Sequence, residues 1–362
     1  MGAPIPLHGI NDIPAIGGGR PGTQGVKKRL LLGTNESPLG PSPLALEAYR
    51  KRGLNLNRYP DASYSDLREA IGKRFSCDPG RTVVTCGSET LIHMLIRGYC
   101  GPGDEVLFTK LEFRMVGRVA RLCGATPVEV PTKGWYADID ALIAGITENT
   151  KLVFLANPNN PTGTYLPDSE IRRLHAAIPE HVVFVLDSVY AEYVMEEDYK
   201  SGVELVDEFH NTVMIRTFSK YYSLAANRLG WAYGSAEITK TLNTMRAPFN
   251  VGSPAPECAT AALGDSDFDA VILGHNNKWM PWFSEQLNAM GLDVAPSVGN
   301  YVAARFRDVE TAEKVYQDLL AEGIMTNYLS SYGLNDCIRF TIGFEEELRE
   351  VLEVMERSMA PA

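Results

Sequence analysis

The chain has 362 residues, 45% apolar and 22% charged, with 34 Lys and Arg against 45 Asp and Glu, for a net charge of −11. That composition excludes a fibrous or disordered chain and leaves room for roughly two domains, and the acidic balance argues against a nucleic-acid binder. No apolar run approaches the roughly 18 residues of a membrane span, and the first residues lack the basic start and apolar stretch of a secretion signal. The cysteines at 77, 86, 100, 123, 258 and 337 include no C-x-x-C pair, so they read as reduced thiols of a cytoplasmic protein.

A Pro- and Gly-rich N-terminal stretch reads as an irregular arm. Residues 42–52 then show helical spacing, with Ser42 as N-cap and Pro43 at the first helical position. Residues 64–75 read as a second amphipathic helix. A short strand from Thr82 runs through Gly87-Ser88-Glu89-Thr90 into a helix. Strands at 106–108, 127–130, 151–156, 182–186 and 212–216 alternate with helices at 113–123, 138–146 and 168–177. Continuous apolar strands separated by helices predict a parallel sheet covered on both faces. From about 255 the texture changes: a long helical region at 256–290, short strands near 292, 301 and 338, and helices at 310–322 and from Glu345 predict a small α+β unit.

Four places carry candidate chemistry. The turn at Ser88 and Glu89 offers backbone N–H groups at a helix start, which suits a phosphate but equally an ordinary capped turn. Asn157-Pro-Asn-Asn160-Pro-Thr-Gly fixes a rigid loop after a strand, on the carboxyl edge where open α/β sheets bind ligands. Asp187 ends another strand, with Tyr190 three residues on, and reads as a ligand contact or as a helix N-cap. Ser219-Lys220 follows a further strand, with Arg228 eight residues beyond. Lys220 is either an exposed lysine or, if desolvated beside other cations, a nucleophile toward a carbonyl. The six histidines are scattered without H-E-x-x-H, so no metal site is expected.

Asn160, Asp187, Tyr190, Lys220 and Arg228 follow one another at spacings of 27, 3, 30 and 8. This order resembles the fold-type-I pyridoxal-phosphate aminotransferases, and within them the histidinol-phosphate aminotransferase family. The family pattern N-E-N-P-L-G-P-S appears as Asn35-Glu-Ser-Pro-Leu-Gly-Pro-Ser42, R-Y-P-D as Arg58-Tyr59-Pro-Asp61, and N-P-N-N-P-T-G and R-T-F-S-K are intact. The C-terminal block appears as Gly333-Leu-Asn-Asp-Cys337-Ile-Arg339-Phe-Thr-Ile-Gly343.

The resemblance implies pyridoxal 5'-phosphate as cofactor. It implies a large domain, residues 46–250, with a mostly parallel seven-stranded sheet sandwiched by helices. A small α+β domain, 251–362, would be joined by the N-terminal arm and segment, 1–45. Lys220 would bond the cofactor and serve as base, Asp187 would pair with the ring nitrogen, and Asn160 and Tyr190 would hold the ring oxygen. Phe113 would stack on the ring, and Ser88, Glu89, Ser219 and Arg228 would bind the phosphate. Tyr59 would reach that phosphate from a second copy, implying a homodimer. Arg339 would bind the substrate's anionic group, with Asn35, Asn160 and Tyr328 around it.

Three departures stand out. D-E-A-Y has become Asp187-Ser-Val-Tyr190, Arg114 follows Phe113, and Asn327 stands where the family has an arginine. A phosphate monoester near charge −2 asks for two cationic partners and a carboxylate for one. Asn327 therefore favours an amino acid, with an aromatic side chain if Tyr328 lines the pocket, over histidinol phosphate. The expected activity is ping-pong transfer of an amino group between an amino donor and a 2-oxo acid such as 2-oxoglutarate. Histidinol-phosphate aminotransferase proper and a decarboxylase of the threonine-phosphate type are the alternatives. The absence of G-x-G-x-x-G after the first strand argues against a nicotinamide dehydrogenase, and the charge and short leader argue against a DNA-binding regulator.

Overall fold

The computed structural model describes residues 9–15 and 30–360. Most of the expected arm, residues 1–8 and 16–25, lies outside the described residues.

The centre is a seven-stranded sheet. Its strands in chain order are β1 (Thr82–Thr85), β2 (Glu105–Thr109), β3 (Thr126–Val130), β4 (Thr150–Ala156), β5 (Val183–Asp187), β6 (Thr212–Thr217) and β7 (Gly230–Gly234). In space they run β1-β7-β6-β5-β4-β2-β3. The β4 strand shows why such runs are apolar throughout. Leu152 and Phe154 face the cluster built by helices Ser88–Tyr99, Met115–Leu122 and Ala236–Met245. Val153 and Leu155 face the opposite cluster, with helices Ile139–Ala144 and Asp168–Ala177. Side chains alternate across a strand, so a strand covered on both faces needs apolar residues at every position.

The sheet is mostly parallel, as the resemblance implies, with one exception. β7 is antiparallel to both β1 and β6. Its sequence, Gly-Trp-Ala-Tyr-Gly, carries too short an apolar run between glycines to stand out, and tertiary pairing makes it a strand. The consequence is local: β7 starts at the edge where its parallel neighbours end, and Gly230 pairs with Thr85.

A second sheet contains β8 (Asp293–Val294), β9 (Tyr301–Arg305), β10 (Asn327–Tyr328) and β11 (Cys337–Thr341), ordered β8-β9-β11-β10. Phe283, Val315 and Leu348, from helices Ser266–Ala289, Val309–Ala321 and Glu345–Met359, cover it by packing with Phe340 of β11. The helical region expected over 256–290 consists of two helices, Pro254–Leu263 and Ser266–Ala289. Gly264 caps the first, and the Asp265 carboxylate accepts from Phe268 N–H at 3.3 Å to start the second. Leu30–Leu31 pairs in parallel with Ile324–Met325, fastening the N-terminal segment beside this second sheet. The first helix, Pro43–Gly53, begins as expected, with Ser42 Oγ accepting from Ala45 N–H at 3.0 Å.

Candidate active site

The ends of β1, β4, β5 and β6 converge on one cleft of about 490 Å³, within the range of small-molecule sites. Ser88, Glu89, Phe113, Asn160, Asp187, Tyr190, Ser219, Lys220, Arg228, Asn35 and Arg339 all line it. Separations of up to 306 residues in sequence are closed here by the sheet's carboxyl edge and the docking of β11.

Asp187 is the last residue of β5 and is buried. Its carboxylate accepts from Val189 N–H at 3.2 Å. Burial pushes its carboxyl up to about 7, because no cation stands beside it to favour the ionised form. Tyr190 is buried below, its ring edge-on to Tyr301 at 5.0 Å. Its hydroxyl accepts from Asn35 Nδ2 at 2.8 Å. Asn35 adopts φ 57°, and its own N–H donates to Thr341 Oγ1 at 2.9 Å.

The asparagine loop is rigid for visible reasons. The Asn157 side chain accepts from Leu166 N–H at 2.8 Å and donates to Leu166 O at 2.9 Å. The Asn159 carbonyl accepts from Tyr301 Oη at 2.5 Å. This holds Asn160 in the cleft, where its Oδ1 accepts from Arg339 Nη1.

Lys220 is half-buried, and its ammonium donates to Thr34 O at 2.8 Å. Burial lowers it to about 8, helped by the positive charges of Arg339 and Arg228 and opposed by Glu36. Arg339 is buried on β11, bonded to Gly33 O at 2.8 Å, with its Cζ 5.1 Å from the Tyr301 ring centre. Its Nε has no partner.

The fourth wall is basic. The helix Ser88–Tyr99 opens without a side-chain cap, so Ser88 stands at its first turn with N–H groups free for a ligand. Arg228, at φ 47°, reaches across it and donates from Nη1 to Ser219 Oγ at 3.4 Å. A Cβ on Gly87 would meet Arg228 Nη2 at 2.8 Å, and Gly87 has φ 85°. A Cβ on Gly230 would meet Ser88 N at 2.4 Å. Gly230 is therefore required by the close backbone approach, and Gly87 by its left-handed φ.

This donor set fits pyridoxal phosphate on the structure's own terms. A helix start with an arginine and a serine hydroxyl suits a phosphate. A buried carboxylate without a cation suits a protonated ring nitrogen, and a lysine with a lowered pKa suits a carbonyl.

One expected residue stands elsewhere. Tyr328 is not in the cleft: its ring stacks on Tyr316 at 5.2 Å and its hydroxyl donates to Asn335 O at 2.5 Å. Side chains alternate along β10, so the cleft receives its neighbour Asn327, and Tyr332 supplies the aromatic ring instead. Tyr59 is 80% exposed, stacked on Phe249 at 4.6 Å, away from this chain's own cleft. Sequence reasoning missed Glu112, whose buried carboxylate accepts from Phe113 N–H at 2.8 Å and Ala156 N–H at 3.0 Å. Tying those two backbone segments together positions the ring of Phe113. Its position beside the expected stacking residue was the only available signal.

The fold and this site define a fold-type-I, pyridoxal-phosphate-dependent aminotransferase, which exchanges an amino group between amino and 2-oxo substrates. The family model for aminotransferase class I and II matches residues 27–355, and the chain belongs to that family. It is 45% identical over 98% of its length, and 98% of theirs, to a histidinol-phosphate aminotransferase of Paramagnetospirillum magneticum. It is 44% identical, with 98% of each chain covered, to one of Rhodospirillum centenum. A crystal structure of histidinol-phosphate aminotransferase from Sinorhizobium meliloti with pyridoxal-5'-phosphate superposes with TM-score 0.86 at 27% identity, covering 91% of each chain. Among the described residues no helix is long and apolar enough to cross a membrane.

Proposed function

We propose that the chain is a histidinol-phosphate aminotransferase, transferring the amino group of histidinol phosphate to 2-oxoglutarate. The observation that carries this is full-length similarity above 40% to relatives of that name, joined to a buried arginine, Arg339, that lines the cleft. The preference for a carboxylate substrate, read from Asn327 alone, gives way to that similarity.

Pyridoxal phosphate, when bound, supplies a carbonyl that takes up the amino group and an electron-poor ring that stabilises negative charge at the substrate's α-carbon. The chain's residues do the rest. Ser88, the Glu89 backbone, Ser219 and Arg228 hold the phosphate. Asp187 pairs with the ring nitrogen and keeps it cationic, while Asn160 and Tyr190 orient the ring and Phe113 covers one face and excludes water. Lys220 would take the proton from the substrate's α-carbon, and a pKa lowered toward neutrality suits a base working near pH 7. Arg339 holds the substrate's anionic group, with Asn35 fixing the Tyr190 hydroxyl.

The same reading takes residues 46–250 as the large domain and 251–362 with the N-terminal segment as the small one. The exposed Tyr59 is assigned to a second copy's phosphate site in a homodimer. Six free cysteines support a reducing, cytoplasmic setting.

The test is turnover of the holoenzyme with histidinol phosphate and 2-oxoglutarate, read as glutamate formed. Turnover of phenylalanine or tyrosine with none of histidinol phosphate would restore the carboxylate reading. Carbon dioxide release without glutamate would make the chain a decarboxylase.

A further inference from the structure

Resting on the proposed substrate, one question is left by the site itself. Asn327 lies directly across the strand pair from Arg339. The position that would supply a second cation is therefore neutral, and a phosphate monoester carries a charge near −2 above pH 6.

A second cavity of about 970 Å³ adjoins the cleft, and the two share Glu89, Phe113, Asn327 and Tyr332 as walls. Arg114 lines this cavity, with its Cζ 5.5 Å from the centre of the Tyr332 ring. It has no carboxylate partner among the described residues. Its neighbour Arg118 is engaged with Pro14 O at 2.5 Å. Glu112, the nearest acid in sequence, is turned inward onto two backbone N–H groups, and burial pushes it up to about 8, so it is mostly uncharged at neutral pH. Tyr332 stands between the two arginines. Burial raises its hydroxyl's pKa, and the positive charges of Arg339 and Arg114 both pull it back down.

We propose that Arg114, with the Tyr332 hydroxyl, forms the second arm of the substrate's phosphate site and replaces from the adjoining loop the cation that position 327 lacks. The phosphate is then held between Arg339 and Arg114, with Tyr332 donating a hydrogen bond from the middle. A dianion bridged by two arginines is favoured over a monoanion, which Arg339 alone satisfies. Arg114 acts as a specificity residue and takes no part in proton transfer.

The experiment compares kcat/KM for histidinol phosphate and for unphosphorylated histidinol in the wild-type holoenzyme, Arg114→Gln, Arg114→Lys and Lys110→Gln. A calorimetric titration with a short alkyl phosphate monoester gives Kd for the same four proteins. Arg114→Gln is expected to cut the preference for the phosphorylated substrate, and to weaken the monoester, by about 10- to 100-fold, the loss of one charged hydrogen bond. Arg114→Lys should recover part of it, and unchanged melting temperature and cofactor absorbance exclude misfolding. Lys110 lines the same cavity, so its variant controls for the general field. An equal loss in Lys110→Gln, or an Arg114→Gln protein that keeps both values within twofold, overturns the assignment. A wild-type enzyme that does not turn over histidinol phosphate overturns the proposed substrate instead, and the monoester titration then decides Arg114 by itself.

Discussion

Replacing Asp187 by Asn isolates the energetics of the site. The carboxyl is buried, accepts one N–H bond at 3.2 Å, and is held protonated up to about pH 7. Its ordinary value is 3.8. At 1.36 kcal/mol for each tenfold change, ionising it costs the apoprotein about 4 kcal/mol. The folded state binds this proton more tightly than the unfolded state. Its contribution to stability is therefore fully present below pH 3.8, falls as pH rises through 7, and is lost above that. Asn keeps the acceptor for Val189 N–H and never ionises. The Asp187→Asn apoprotein should therefore be more stable than the wild type at pH 8, by up to about 4 kcal/mol, on the order of 5 °C in melting temperature. The gap should close toward pH 5. With cofactor the order reverses. The wild type gains a buried ion pair that Asn cannot make, and kcat/KM in the variant should fall about 10²- to 10³-fold. Paired melting curves at pH 5 and 8, with and without cofactor, measure all of this. An apoprotein variant no more stable than the wild type at pH 8 would falsify the claim that Asp187 is an uncompensated carboxylate.

Labelling of Lys220 in the apoprotein by an amine-specific reagent should rise through a midpoint near pH 8 rather than 10.5. Arg339→Gln should move that midpoint upward, since it removes a neighbouring positive charge; an unmoved midpoint would mean that burial alone sets it. Gly230→Ala places a methyl 2.4 Å from Ser88 N, so cofactor affinity should drop about tenfold or more and stability by about 1–3 kcal/mol, read by cofactor titration and melting. Tyr59→Phe should weaken cofactor binding several-fold in a protein that elutes as a dimer, with no change in melting temperature. Elution as a monomer with full cofactor affinity would remove Tyr59 from the site.

The sequence by itself determined most of the residues that share the cleft, through the order and spacing of Asn160, Asp187, Tyr190, Lys220 and Arg228. Asn160, Asp187 and Lys220 were legible because each follows an apolar strand, and in a sheet covered on both faces the strand's end is where a polar residue meets solvent and ligand. The strand cores and the Ser42 cap were legible for the same kind of reason: periodicity and capping chemistry are local. The tertiary structure alone decided which way β7 runs, and that direction brings Arg228 and Gly230 against Ser88 and closes the phosphate cradle. It alone decided that β10 turns Asn327 toward the cleft and Tyr328 onto Tyr316, and that Arg114 lies over Tyr332. Strand direction, and which face of a two-residue strand looks inward, follow from pairing with segments distant in the chain, and local sequence carries no record of that pairing.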